Sequence, residues 1–201
     1  MSTTESTESA GPTARRADAR RNRELALAAA TSLLGEPGAP LTVDTIAKRA
    51  GLGAGTIARA FGGKDPLIDA AVAGLLGPVV DRAEALGREP EPAVALRTFL
   101  TELVAFQSAH SAVGAELAGL DLPTTTGLRA RLVAAVVRLV DRARASGAIR
   151  ADITAETAAD LLIRTAHAVI RSPGSSPELS GAFVAVLMDG LRPAAPVLPR
   201  A

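Results

Sequence analysis

Apolar residues recur at helical spacing through almost the whole chain, and nowhere does a period-two alternation persist between turn signals. That pattern predicts an all-α fold. Helices are expected over residues 17–34, 43–50, 54–61, 64–86, 93–110, 128–146, 155–171 and 178–191, with a weaker turn over 113–120. Glycine and proline supply the breaks at 35–38, 51–53, 62–63, 87–92, 121–127, 147–153 and 172–177. In the first helix Leu25, Ala28, Ala29, Ser32 and Leu33 are expected to form the buried face. Thr42 is placed to cap the second helix, because its hydroxyl can accept from an orphan amide of the first turn.

With 201 residues, 48% of them apolar, the chain is long enough to bury a substantial core in one or two domains. Residues 1–14 lack apolar periodicity and are expected to be disordered, and 193–201, with three prolines, to fray. Between these tails the expected organisation is a small domain over 15–63 and a larger helical one over 64–192.

Several function classes are excluded by composition. There is no cysteine, so disulfides, thiolate zinc sites, iron–sulfur clusters and cysteine nucleophiles are out, which suits the cytoplasm. The longest uncharged run, 103–115, has 13 residues against the roughly 20 that a membrane helix needs. No membrane partner is expected, and residues 1–11 lack the pattern of a secretion signal. With no Trp or Tyr and only four Phe, stacking platforms for single-stranded nucleic acid are missing. No phosphate loop, His-Glu-x-x-His or Gly-x-Ser-x-Gly string occurs, so no enzyme and no cofactor are expected. His110 and His167 are too few for a metal site.

The net charge of +1 is unevenly placed: residues 1–64 hold nine Lys/Arg against six Asp/Glu, and 65–201 hold thirteen against fifteen. Arg15, Arg16, Arg20, Arg21 and Arg23 form a short basic cluster of the kind that meets phosphates, or simply a solvated helix start.

Two short helices joined through Gly51 form a candidate helix-turn-helix. Ile46, Ala50, Leu52 and Ile57 are apolar where the helices face one another, Ala47 is small where they cross, and Gly51 sits where the turn needs a positive φ. The string LTVDTIAKRAGL at 41–52, followed by GTI at 55–57, Phe61 and KDPLI at 64–68, resembles the DNA-binding domain of the tetracycline-repressor (TetR) family of transcriptional regulators. The resemblance covers about residues 20–72 and is weaker beyond, where GAIRAD at 147–152 and GLRP at 190–193 look like further family features.

What the resemblance implies is a homodimer. Its second short helix enters successive major grooves of a palindromic double-stranded operator, and DNA is released when a small-molecule effector enters the larger domain. By that resemblance Thr42 and Lys64 hold phosphates at helix N-termini and Thr56 touches phosphate or base, in keeping with the affinity of exposed amides for anionic oxygen. The recognition helix, whose DNA-facing residues would include Ala54, Gly55, Thr56 and Arg59, departs from the family pattern: Gly53 and Ala54 stand where a polar or basic residue is common, and Ala58 and Ala60 where Tyr and often His are usual. Only Thr56 and Arg59 reach base edges, so affinity is expected to depend on Arg20, Arg21 and the rest of the basic cluster, acting as an arm along the backbone or in the minor groove.

In the larger domain, Glu156, Asp160, Arg164, His167 and Arg171 form a single polar stripe, and residues 181–188 carry no charged or polar side chain. The last helix is therefore expected to be covered all round, most economically by pairing the last two helices with their copies in a dimer. Phe99, Leu103, Phe106 and His110 share a face bordered by Gln107, which is a candidate effector pocket or plain core. The function expected from these readings is a ligand-responsive, DNA-binding repressor. The alternative is a helical ligand-binding or interaction protein of the same fold with weakened or lost operator recognition.

Overall fold

In a computed structural model describing residues 12–36, 38–110, 117, 120–170 and 176–193, the described residues form eight helices and no strand. They are α1 (Pro12–Leu34), α2 (Val43–Ala50), α3 (Ala54–Phe61), α4 (Lys64–Leu86), α5 (Pro92–Ala109), α6 (Pro123–Ala145), α7 (Ala155–Ile170) and α8 (Pro177–Gly190). None is long and apolar enough to cross a membrane. Residues 1–11 and 194–201, most of the turn expected over 113–120, and Arg171 lie outside the described residues.

Two helices begin five residues earlier than their apolar pattern predicts. α1 starts at Pro12 rather than 17, because Ala14, Arg15 and Arg16 are good helix formers and a solvated turn needs no apolar stripe. α6 starts at Pro123 rather than 128; its first turn is capped from α4, a contact that no local signal announces. The buried face of α1 is also shifted by one residue. Ala26, Ala29, Ala30, Leu33 and Leu34 are buried, whereas Leu25 is 39% exposed and Ala28 faces solvent. Three alanines on that face let α2, α3 and α4 approach α1 closely.

Apolar side chains gather in two clusters that divide within α4 rather than at its start. The smaller cluster joins α1, α2, α3 and the first half of α4, through Ile46, Ile57, Phe61, Leu67 and Ile68, with Leu117 and Leu122 from the segment before α6. The larger cluster packs the second half of α4 against α5, α6, α7 and α8, around Leu96, Phe99, Leu139 and Leu162. The GAIRAD and GLRP segments meet, the Arg150 N–H donating to the Leu191 carbonyl at 2.7 Å. Pro78 sits inside α4 on its exposed side, four residues after exposed Gly74, so water can satisfy the carbonyl that the proline leaves unpaired.

Candidate nucleic-acid interface

α2 and α3 make the expected helix-turn-helix. Thr42 Oγ1 accepts the Thr45 N–H at 3.1 Å, capping α2. Gly51 adopts φ 66°, ψ 30°, left-handed backbone that favours glycine, and the next N–H, of Leu52, returns to the Ala47 carbonyl at 2.9 Å. Ile46 and Ile57 are fully buried between the helices, and Ala47, 4% exposed, allows the close crossing.

α3 is held against α1 by Arg23. Its Nη1 donates to the Ala60 carbonyl at 2.6 Å, and its guanidinium lies 4.1 Å from the Phe61 ring centroid. A cation at the C-terminal end of a short helix meets orphan carbonyls and the negative end of the dipole. Arg23 is thus a brace between the two helices, on the same groove as Arg15 and Arg20. On the other side Arg49 of α2 donates to both Glu36 oxygens, at 2.6 and 2.9 Å, and to Ser32 Oγ at 3.0 Å. The Arg49 hydrogen bonds hold the Glu36 carboxyl below its ordinary range.

The basic residues are not an arm. They lie on helix α1, and a groove of about 880 Å³ between α1 and α3 is lined by Arg15, Arg20, Asn22 and Arg23 from one wall and Thr56 and Arg59 from the other. Asp18 also borders it. Arg20 is loosely paired with Glu24 at 3.8 Å, both well exposed, a pairing too weak to hold it from a phosphate. Arg21 is exposed outside the groove. Asn22 is a wall residue that the sequence did not single out; its seven-residue helical spacing from Arg15 of the basic cluster was the available signal.

The face that α3 turns to solvent is short. Ala54, Gly55, Ala58 and Arg59 are exposed, Thr56 is half-buried on the edge toward α1, and Ala60 is half-buried on the groove wall. Arg59 Nη2 lies 3.4 Å from Thr56 Oγ1 and pairs with no carboxylate among the described residues. Lys64 is the first residue of α4, and Thr42 is exposed at the α2 cap.

Asp69, a carboxylate in an otherwise apolar stretch of α4, is 4% exposed. It accepts the backbone N–H groups of Thr124 and Thr125 at 2.9 and 2.8 Å and the Thr125 hydroxyl at 2.7 Å. Burial alone pushes its carboxyl up; the hydrogen bonds from Thr125 and Thr124 outweigh that and leave it below the ordinary aspartate value.

Of the candidate effector residues, Phe99 and Leu103 are core, 1% and 2% exposed, and border a shallow hollow of about 190 Å³ with Pro78, Val79, Arg82 and Glu102. Phe106 and His110 are half-buried at the end of α5, their rings 4.6 Å apart, with His110 Nδ1 2.8 Å from the Phe106 carbonyl. Beside them Gln107 Oε1 is buried with no hydrogen-bond partner among the described residues.

A family profile described as bacterial regulatory proteins, tetR family, matches residues 26–71. One described as transcriptional regulator SbtR-like, C-terminal domain, matches 91–193. Among solved structures, a TetR transcription regulatory protein from Mycobacterium vanbaalenii is 32% identical, with 89% of this chain and 99% of that chain covered at a TM-score of 0.61. TetR transcriptional regulator SCO0520 from Streptomyces coelicolor is 29% identical, with 86% and 99% covered at 0.61. The transcriptional regulator FadR from Bacillus subtilis, in complex with stearoyl-CoA, is 17% identical, with 84% and 99% covered at 0.68, a likeness of fold. No curated protein sequence matches.

Proposed function

Because the chain belongs to the TetR family of bacterial transcriptional regulators, we propose that it is a homodimeric repressor that binds a palindromic operator and leaves it when a small molecule enters the larger domain. The observation that carries this reading is the α1–α3 surface, where Arg15, Arg20 and Arg59 line one groove beside an exposed recognition helix. Guanidinium groups flanking a helix of that kind suit phosphates on either side of a major groove. Thr42 and Lys64, at the starts of α2 and α4, add contacts at helix N-termini.

Dimerisation is supported by apolar side chains left uncovered in the single chain. Leu179, 43% exposed, and Val186, 70% exposed, lie seven residues apart on one side of α8, with exposed Ala182 between them, and Leu161 of α7 is 50% exposed. A second copy is the natural cover for so contiguous an apolar strip. The effector is assigned to the end of α5, where the Gln107 side-chain oxygen meets no donor among the described residues and Phe106 and His110 present rings.

Short side chains at Ala54 and Ala58 favour the competing reading, a regulator-like protein that no longer selects an operator. Electrophoretic mobility shift on DNA upstream of its own coding region decides between them. A repressor gives a shifted species with two chains per site that survives competitor DNA, and a degenerate protein gives none.

A further inference from the structure

At 3.6 residues per turn, Ala54, Gly55, Ala58 and Arg59 fall within an arc of about 140° on the exposed side of α3. The only atoms that α3 can bring to base edges across that arc are two methyl groups, a bare backbone at Gly55 and one guanidinium. Each base presents a different demand in the major groove: cytosine offers a donor that needs a carboxylate, and adenine a donor–acceptor pair that suits Asn or Gln. The exposed face of α3 holds neither residue type. Thymine offers a 5-methyl group that suits an alanine methyl, and guanine offers two acceptors that suit an arginine fork.

We propose that α3 selects half-sites in which thymine methyl groups lie against Ala54 and Ala58 and a guanine lies against Arg59. The assignment rests on the operator-binding reading above and specifies which bases that site reads. Ala54 and Ala58 stand about 6 Å apart along the helix axis, close to two base-pair steps of roughly 3.4 Å. Gly55 between them carries no Cβ, so the helix backbone can approach the bases closely enough for methyl–methyl contact. Arg59 leans toward the edge of this face, its Nη2 3.4 Å from Thr56 Oγ1, which aims the guanidinium while its other donors meet no acceptor among the described residues. Arg15 and Arg20, across the groove from Arg59, supply the positive charge that a duplex seated on this face requires.

The experiment selects bound duplexes from a random-sequence pool with the full-length protein, then replaces each thymine of the selected half-site by deoxyuridine, which lacks only the methyl, and each guanine by 7-deazaguanine. Losing one methyl contact should weaken binding about fourfold at two positions of the half-site. Losing the guanine N7 acceptor should weaken it by roughly fivefold or more at one position. The variant Ala58→Gly should become indifferent to deoxyuridine at one of the two thymine positions, and Arg59→Ala indifferent to 7-deazaguanine. Because the base replacements are made against the unmodified protein, the result does not depend on either variant folding normally. Enrichment of half-sites without thymine and guanine, or full affinity with deoxyuridine at every position, overturns the assignment while leaving operator binding in place. A pool with no enriched sequence overturns both.

Discussion

The Asp69 carboxylate of α4 accepts the Thr125 N–H at 2.8 Å, joining residues 56 apart in sequence where the smaller core meets the first turn of α6. The donors it satisfies are among those that any helix start leaves orphaned. Asp69→Ala would leave the buried Thr125 amide and hydroxyl without this acceptor, so it should lower the unfolding free energy by roughly 1–3 kcal/mol. Asp69→Asn, which keeps one acceptor oxygen, should cost less. Urea denaturation measures both, and a loss under about 0.5 kcal/mol for Asp69→Ala would mean that the bridge contributes nothing.

The same carboxylate makes stability depend on pH. Its folded pKa lies below the unfolded aspartate value of about 3.9, so its contribution is full above that value and is lost as pH falls through the folded pKa. The difference in unfolding free energy between the unmodified protein and Asp69→Asn should therefore be constant near neutrality and shrink below about pH 4. A difference that grows on acidification would contradict the assignment.

The α8 surface gives a sharper test of dimerisation than its composition suggested. The uncharged run at 181–188 predicted a helix covered all round; in the single chain Val184 is 5% exposed and Leu187 half-buried, both against their own core, while Val186 is open. Val186→Glu should give a folded monomer by light scattering, whereas Val184→Ala should lose about 2 kcal/mol of stability and remain a dimer. A dimer that persists with Glu at 186 places the interface elsewhere.

Arg23 and Arg15 separate bracing from charge. Arg23→Ala removes the bond to the Ala60 carbonyl and the contact with Phe61, and should cost roughly 1–2 kcal/mol in stability with little change in salt dependence. Arg15→Ala should leave stability alone and flatten the slope of log affinity against log salt by about 0.9 if it meets one phosphate. The reverse pattern in thermal melts and binding titrations would exchange their roles.

The helix-turn-helix was legible because its determinants are local: a Thr cap, a glycine that must adopt left-handed backbone, and apolar residues at the spacing of two crossing helices. The bounds of α2 and α3 follow directly from them. The start of α6 was not legible, because Thr124 and Thr125 are capped by a residue of another helix. The Arg23 brace was hidden for a related reason: in sequence it is one arginine of five, and only the packing of α1 on α3 brings it to Ala60 and Phe61. The exposed face of α3 stood between these cases. Its residues were plain, while the place of Ala60 on the groove wall depended on where α1 lay.

The central claim, that the α1–α3 face binds a specific duplex, is tested most directly by titrating salt against affinity for the selected operator and for a scrambled duplex of the same composition. The unmodified protein should prefer the operator at every salt concentration, both affinities falling steeply with salt. Arg59→Ala should give up roughly 1–3 kcal/mol of that preference with its slope nearly unchanged. Equal affinity of the unmodified protein for the two duplexes at low salt would contradict the account.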